Sequence, residues 1–147
     1  MIKIYYPTHP FKIREPQRKK EEIWDELRKI WVRLTPEEWV RQNFVQYLLQ
    51  VKNYPATYMA LERNIKLGEL NKRFDLLVFD KSARPWMLVE CKAMNEKLDS
   101  RVLWQVLRYN MAIPVKYLII TNGEECHAFI KGLTDFEGLA TLPAYSE

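Results

Sequence analysis

The sequence is poor in glycine, with four in 147 residues, so it holds no flexible Gly-rich linker. It also shows no repeat and no low-complexity tract. Its two cysteines, Cys91 and Cys126, lie far apart without metal-ligand spacing. The two histidines, His9 and His127, are too few to complete a zinc site with them. No Ser-His-Asp or Cys-His arrangement can be drawn from the spacing. No apolar run approaches the ~20 residues a membrane-spanning helix needs, so no membrane partner is expected. The opening "MIKIYYPTHPF" lacks the basic-then-apolar pattern of a secretory signal. A reducing cytoplasm is the expected location, and Cys91, in an apolar strand, reads as an inert core thiol.

What is present suffices for a core. Apolar residues make up 48% of the chain and charged residues 29%, the balance of a soluble globular protein. The length suits one domain. It divides into an N-terminal extension of about 1–33, a core of about 34–130 and a C-terminal tail of about 131–147. The net charge of +4 and the pI of about 9.0 fit a polyanionic partner.

Local patterns give the elements. "IREPQRKKEE" is charge-dense and reads as an exposed turn at the tip of an N-terminal hairpin. "IWDELRKIWVRL" places Ile23, Leu27, Ile30 and Leu34 at helical period and predicts a helix. "TPEEWVRQNFVQYLLQV" predicts a second, with Thr35 as N-cap, Pro36 at the first position and Glu38 completing a capping box. Its core face is Val40, Phe44, Tyr47, Leu48 and Val51. Strands follow at "TYMALERNIKL", ending at Gly68 in the turn "LGELNK", then at "RFDLLVFD" and "PWMLVECK", the last two joined by "KSAR". A helix from Ser100 to Ala112 is closed by Pro114. "KYLIIT" and "CHAFI" are strands around the turn "NGEE". The tail carries no assigned element.

From "TPEEW" onward the order is αβββαββ. This predicts an α/β (α+β) fold, a central mixed sheet of about five strands flanked by helices. "RFDLLVFD" is apolar on both faces, with Phe74, Leu76 and Val78 on one and Leu77 and Phe79 on the other. Strands of that kind lie in the middle of a covered sheet.

Three charges interrupt those apolar strands: Asp75, Glu90 and Lys92. Pairing the two strands as a hairpin, with Asp80 opposite Pro85, sets Val78 against Met87 and Asp75 against Glu90. Directly opposed Cβ atoms lie about 4.5–5.5 Å apart, and alternation puts Lys92 on the face of Glu90. Two readings fit. One is a structural ion triplet at a sheet end. The other is a metal site, in which Asp75, Glu90 and the backbone carbonyl of Cys91 hold a hard divalent cation. Such a cation acidifies a bound water beside the Lys92 amine, the parts needed to hydrolyse a phosphodiester.

Asp75 followed by Glu90-Cys91-Lys92 resembles the PD-(D/E)xK nuclease superfamily. Gln105 and Tyr109 in "QVLRY" match its Q-x-x-x-Y element. "TPEEWVRQNF", "RFDLLVFD…LVECKA", "QVLRYN" and "YLIITNG", in this order over about residues 34–129, resemble the N-terminal domain of the type I restriction enzyme R subunit, in its small stand-alone form. The resemblance implies a restriction-endonuclease-like core. It implies Mg²⁺ (or Mn²⁺) on Asp75 and Glu90, Lys92 assisting the attacking water, and Gln105 near substrate or metal-bound water. It implies a glutamate from the first core helix completing the metal shell. Glu37 and Glu38 are the candidates, and the family-like phrase "E-x-x-R-Q" favours Glu38. Tyr109, Arg73 and Arg101 are candidates for substrate contact. The implied partner is DNA, with room for a homodimer or a partner subunit of a restriction or repair complex.

Two departures matter. Phe74 stands where many members have proline. The chain also has no P-loop pattern and no room for a motor, so translocation is not implied. A non-catalytic nucleic-acid-binding or assembly module that keeps the fold is the alternative to a nuclease. The remaining basic residues near the strands and second helix, Arg63, Lys66, Lys72, Lys97 and Arg108, read as solvated charges. The tryptophans Trp24, Trp31, Trp39, Trp86 and Trp104 read as core anchors.

Overall fold

The structure is a computed structural model. It describes residues 1–17, 19–67 and 69–145, and the side chains of all of these except Ile65, Leu67 and Leu70. Gly68 of the predicted turn and Arg18 of the charged N-terminal loop lie outside the described residues. In chain order the elements are β1 (Ile13–Arg14), β2 (Glu22–Asp25), β3 (Ile30–Arg33), α1 (Pro36–Gln50), a 3-10 turn (Ala56–Tyr58), β4 (Met59–Leu67), β5 (Leu70–Phe79), β6 (Pro85–Cys91), α2 (Ser100–Tyr109), β7 (Tyr117–Thr121), β8 (Cys126–Lys131) and β9 (Phe136–Leu139). None of the helices is long and apolar enough to cross a membrane, among the described residues.

β4 to β9 form one mixed sheet of six strands in sequence order. The β6–β7 pair is parallel, and α2 is the crossover between them. All other pairs are antiparallel. This is the helix-flanked mixed sheet expected of a restriction-endonuclease-like core, with one strand more than predicted. The extra strand is β9, in the tail that sequence left unassigned. Its register puts Gly138 opposite Phe129, and no alternating apolar run marks it. Beyond it Leu142 is buried, and the Tyr54 hydroxyl donates to the Pro143 carbonyl at 2.5 Å, tying the tail to the core.

The sheet is covered on both sides. Val40, Phe44, Tyr47 and Leu48 of α1 pack on Leu76, Val78, Met87, Val89 and Ile119. Val106 of α2, with Leu98, Ile113 and Val115 around it, packs on Leu77, Leu88, Leu118 and Ile120. Central strands apolar on both faces are the result, as their sequences imply. Val51 falls at the C-cap of α1 and is exposed, so it is not part of the core face. α2 ends at Tyr109 because Asn110 caps it, donating to the Val106 carbonyl through both its backbone and its side chain.

Two alternation rules fail locally. Phe74 packs with the α2-side cluster and not with Leu76 and Val78. The β4–β5 ladder skips the step between Leu61↔Leu76 and Arg63↔Phe74, where Glu62 has φ +46°. A left-handed residue in a strand breaks the two-residue period. At the other end of β5 the register shifts between Val78 and Phe79, so Pro85 faces Phe79 and not Asp80. The turn absorbs the residue: the Asp80 carboxylate accepts the Ser82 and Arg84 N–H groups, and Ala83 has φ +61°.

The predicted helix over "IWDELRKIWVRL" is a β-hairpin. β2 and β3 pair antiparallel with Trp24 opposite Trp31, their rings edge to face at 5.4 Å. Asp25 explains why. It is fully buried, and its carboxylate accepts the backbone N–H groups of Leu27 and Arg28, folding the chain back on itself. Lys29, with φ +58°, completes the turn. The apolar residues at helical spacing were a coincidence of two strands: Ile23 is buried, whereas Ile30 is exposed. β1 pairs with β2, so the charged segment between them is the tip of an N-terminal hairpin, as predicted.

Asp25 also takes a guanidinium bond from Arg28 at 2.6 Å and an amide bond from Gln42 of α1. Removing a carboxylate from such a buried pair strands its cation, so Asp25→Ala should cost about 3–5 kcal/mol. Ile30→Ala, at an exposed position, should change stability by less than about 1 kcal/mol. Urea unfolding of both variants checks the contrast.

Candidate functional site

β5 and β6 hold the register that sequence pairing predicts at Val78↔Met87, and it runs to Leu76↔Val89. The ladder ends there, one position short of Asp75 and Glu90, which are still close enough for Asp75 to raise the Glu90 carboxyl. The Cys91 N–H donates to Asp75 Oδ2 at 2.8 Å, which fixes the aspartate at the end of the hairpin. Lys92 follows directly, its N–H bonded to the Thr121 carbonyl of β7 at 2.8 Å. Two neighbouring strands and one tight turn therefore deliver both carboxylates and the ammonium to one end of the sheet.

α2 supplies the opposite wall. Glu90, Lys92, Gln105 and Tyr109 line one open cavity of about 320 Å³, with Glu96, Val102, Val106 and Asn110. Gln105 and Tyr109 reach it together because residues four apart share a helix face. The Tyr109 ring lies over the Lys72 ammonium, 3.7 Å from its centroid, and Lys72 donates to the Tyr109 carbonyl.

α1 approaches Asp75 from the other side. Arg41 is buried and donates to Asp75 Oδ1 at 3.2 Å. It also bonds both oxygens of Glu38, at 2.9 and 3.0 Å, and pairs with Glu62 at 2.9 Å. Arg28 of the β2–β3 turn bonds Glu62 from the N-terminal side.

The electrostatics follow. Burial, then the negative charge of Asp75, push the Glu90 carboxyl up to about 7, against the pull of Lys92. Burial raises Asp75 as well, although the Cys91 N–H, Arg41 and Lys92 oppose it. Glu37 is raised by burial and by Asp75. Three carboxyls thus hold protons more tightly than usual, because their cations do not fully compensate them.

The structure brings Glu90, Lys92, Gln105 and Tyr109 to one cavity, with Asp75 beside it, near enough to Glu90 and Lys92 to interact with both. It does not bring Glu38 there. Thr35 caps its N–H as predicted, but the Glu38 carboxylate turns to Arg41 and Gln42 instead of completing the capping box. Glu37 is the α1 glutamate that feels Asp75 and Lys92. Arg73 pairs with Glu62 at 2.7 Å, and Arg101 is exposed at the start of α2 outside the cavity.

Sequence reasoning missed Arg41, Glu62, Lys72 and Glu96. Lys72 was expected at the surface, yet it is buried, and burial lowers its pKa. The available signal was strand alternation, which sets the adjacent Lys72 and Arg73 on opposite faces of β5 so that both cannot be solvated alike. Arg41 was visible only as part of "E-x-x-R-Q".

Among the described residues no three Asp, Glu, His or Cys side chains gather as a metal cage. Two carboxylates and a carbonyl still fit a hard divalent ion, since Mg²⁺ is commonly held by one or two carboxylates and keeps several waters. Cys91 and Cys126 are both buried with raised pKa values, that of Cys126 about 12, so neither thiol is a ready ligand or nucleophile.

A family model described as the type I restriction enzyme R protein N terminus matches residues 36–143. The match starts at α1 and runs through β9 into the tail, further than the motif pattern reached. No curated protein sequence matches the chain.

Glu90 also sets a pH dependence of folding. Its folded pKa of about 7 lies above the ordinary value of 4.5. Its contribution to stability is therefore full below the unfolded pKa and is lost as pH rises through the folded one. Metal-free protein should lose melting temperature across that window, with Asp75 and Glu37 acting in the same direction. Glu90→Gln should flatten the profile. Calorimetric scans of both proteins at several pH values measure it, and identical profiles would contradict the assignment.

Proposed function

Since this chain belongs to the family of the type I restriction enzyme R protein N terminus, we propose that it is a metal-dependent nuclease that hydrolyses DNA phosphodiester bonds. The observation that supports this most directly is the Glu90 carboxyl, raised to about 7 by burial and by Asp75. A divalent cation on Asp75, Glu90 and the Cys91 carbonyl would relieve that repulsion. Mg²⁺ or Mn²⁺ there supplies Lewis-acid stabilisation of a phosphoryl oxygen and a more acidic water.

The protein's own residues do the rest. Lys92, fixed through Thr121, orients the attacking water and handles its proton. Gln105 presents an amide to the water or the substrate phosphate from the α2 wall of the cavity. Lys72, buried beneath Tyr109 and sensing Glu90, adds positive charge where a phosphate would sit. Glu37 is the α1 carboxylate placed to join the set; Glu38 serves by holding Arg41.

One observation favours a second reading. Arg41 already bonds Asp75 Oδ1, as a cation would. In that reading the fold is kept for binding nucleic acid or a partner subunit, and the charges form a structural cluster. Calorimetric titration separates the two: a Mn²⁺ or Mg²⁺ site lost in Asp75→Asn supports the nuclease, and no site with DNA binding intact supports the module.

The direct test is a panel of plasmid, duplex and single-stranded DNA incubated with Mg²⁺ or Mn²⁺. Lys92→Ala should lower cleavage by about 10²–10⁴-fold while leaving the circular dichroism spectrum unchanged. No cleavage of any DNA form by the parent, or equal cleavage by Lys92→Ala, would sink the proposal.

A further inference from the structure

α2 presents an unusual solvent face. Apart from the first residue, its exposed positions are Arg101, Trp104, Gln105, Arg108 and Tyr109. Trp104 is 60% exposed and Tyr109 63%. Trp104 was expected in the core; it is not there because Val106, with Val102, Leu103 and Leu107, already supplies the buried stripe. Ordinary surface helices place charged residues of both signs on such a face. This one carries two large aromatics and two arginines, and no acid anywhere along its length.

The face is continuous with the candidate site. Trp104, Gln105, Arg108 and Tyr109 line a groove of about 340 Å³, and two of them, Gln105 and Tyr109, also line the cavity of Glu90 and Lys92. Beyond Arg108 the surface opens into a further cavity against β9, where Asp135 brings the first negative charge. The acid-free stretch from Arg101 to Arg108 spans about 10 Å of helix axis, the length of about three stacked nucleotides.

We propose that the exposed face of α2 is a stacking platform for single-stranded or frayed DNA, with bases on Trp104 and Tyr109 and phosphates on Arg101 and Arg108. This rests on the nuclease reading and names the substrate form: the strand crosses α2 on its way to or from the Glu90–Lys92 cavity. Charge complementarity selects a polyanion over an apolar helix. Exposed ring faces select unpaired bases over a duplex, whose base faces are already stacked on each other. Aromatic platforms flanked by cations are how proteins bind single strands without reading sequence. Tyr109 is braced for the role by Lys72 on one side of its ring, which leaves the other open.

The test measures binding apart from cleavage. Fluorescence anisotropy with a labelled single-stranded oligonucleotide is run on full-length Lys92→Ala protein without divalent metal. Adding Trp104→Ala should weaken single-strand binding by about 10-fold or more, while Trp104→Phe should hold it within about 3-fold. Binding of the matching duplex should change by less than about 2-fold. Arg108→Ala should lower the slope of log affinity against log salt by about 0.7. Unchanged single-strand affinity in Trp104→Ala overturns the proposal, as does an equal loss for duplex. So does a Trp104→Ala protein that loses self-association in sedimentation while binding single strands normally, which would make the face a protein interface. If the parent cuts no DNA but the Trp104 dependence holds, the platform stands and the nuclease reading falls; cleavage with Trp104-independent binding gives the reverse.

Discussion

Arg41 is the point on which the site end of the molecule turns. Its guanidinium bonds Glu38 on its own helix, Glu62 on β4 and Asp75 on β5. Arg28 extends the same network to Glu62 and to the buried Asp25 of the β2–β3 turn. A buried guanidinium is tolerable only when its donors are satisfied, and here the acids come from separate elements. The arrangement therefore fixes how α1, the N-terminal hairpin and the sheet edge sit relative to one another. It also holds Asp75 in place and opposes, without cancelling, the burial that raises the Asp75 carboxyl. The left-handed Glu62 belongs to this logic: its conformation coincides with the gap in the β4–β5 ladder beside Asp75, and its carboxylate pairs with Arg28, Arg41 and Arg73.

The acid–base balance of the site follows from what Arg41 does not offset. Glu90 lines the cavity walled by α2, with Lys92 as its strongest counter-charge and Arg41 a weaker one. Its carboxyl is raised first by burial and then by the negative charge of Asp75. A cluster balanced by ion pairs alone would gain nothing from a metal; one left short of positive charge gains the most. On the proposed nuclease reading, the same shortage makes the cavity a poorer place for a bare phosphate than for one that arrives with a divalent cation.

How much of this was legible depended on the range of the interactions involved. The hairpin of β5 and β6 could be paired from sequence because its turn is short and its apolar residues fix the register, and so Asp75, Glu90 and Lys92 could be placed together. Thr35 and Pro36 announced α1 through local capping. The β2–β3 hairpin was missed because Ile23, Leu27, Ile30 and Leu34 mimic a helical period, while the deciding residue, Asp25, acts through backbone bonds that no periodicity reveals. β9 was missed because its pairing with β8 carries no apolar alternation. Lys72, Arg41 and Trp104 were misjudged or overlooked for one reason: whether a long side chain is buried or exposed depends on what distant segments cover it.

The parallel step from β6 to β7 has a consequence for how these parts come together. Asp75, Glu90, Lys92, Gln105 and Tyr109 lie within one contiguous stretch of chain, closed by a hairpin and one crossover. The clamp on Asp75 reaches back 34 residues to α1, as far as the site reaches forward to Tyr109, and Ile2 bridges to Cys126 across nearly the whole chain. Loop-closure entropy favours the nearer contacts first. Asp75, Glu90 and Lys92 thus close through a shorter loop than the one that brings Arg41 to Asp75, so the three charges carry the smaller entropic cost and their clamp the larger.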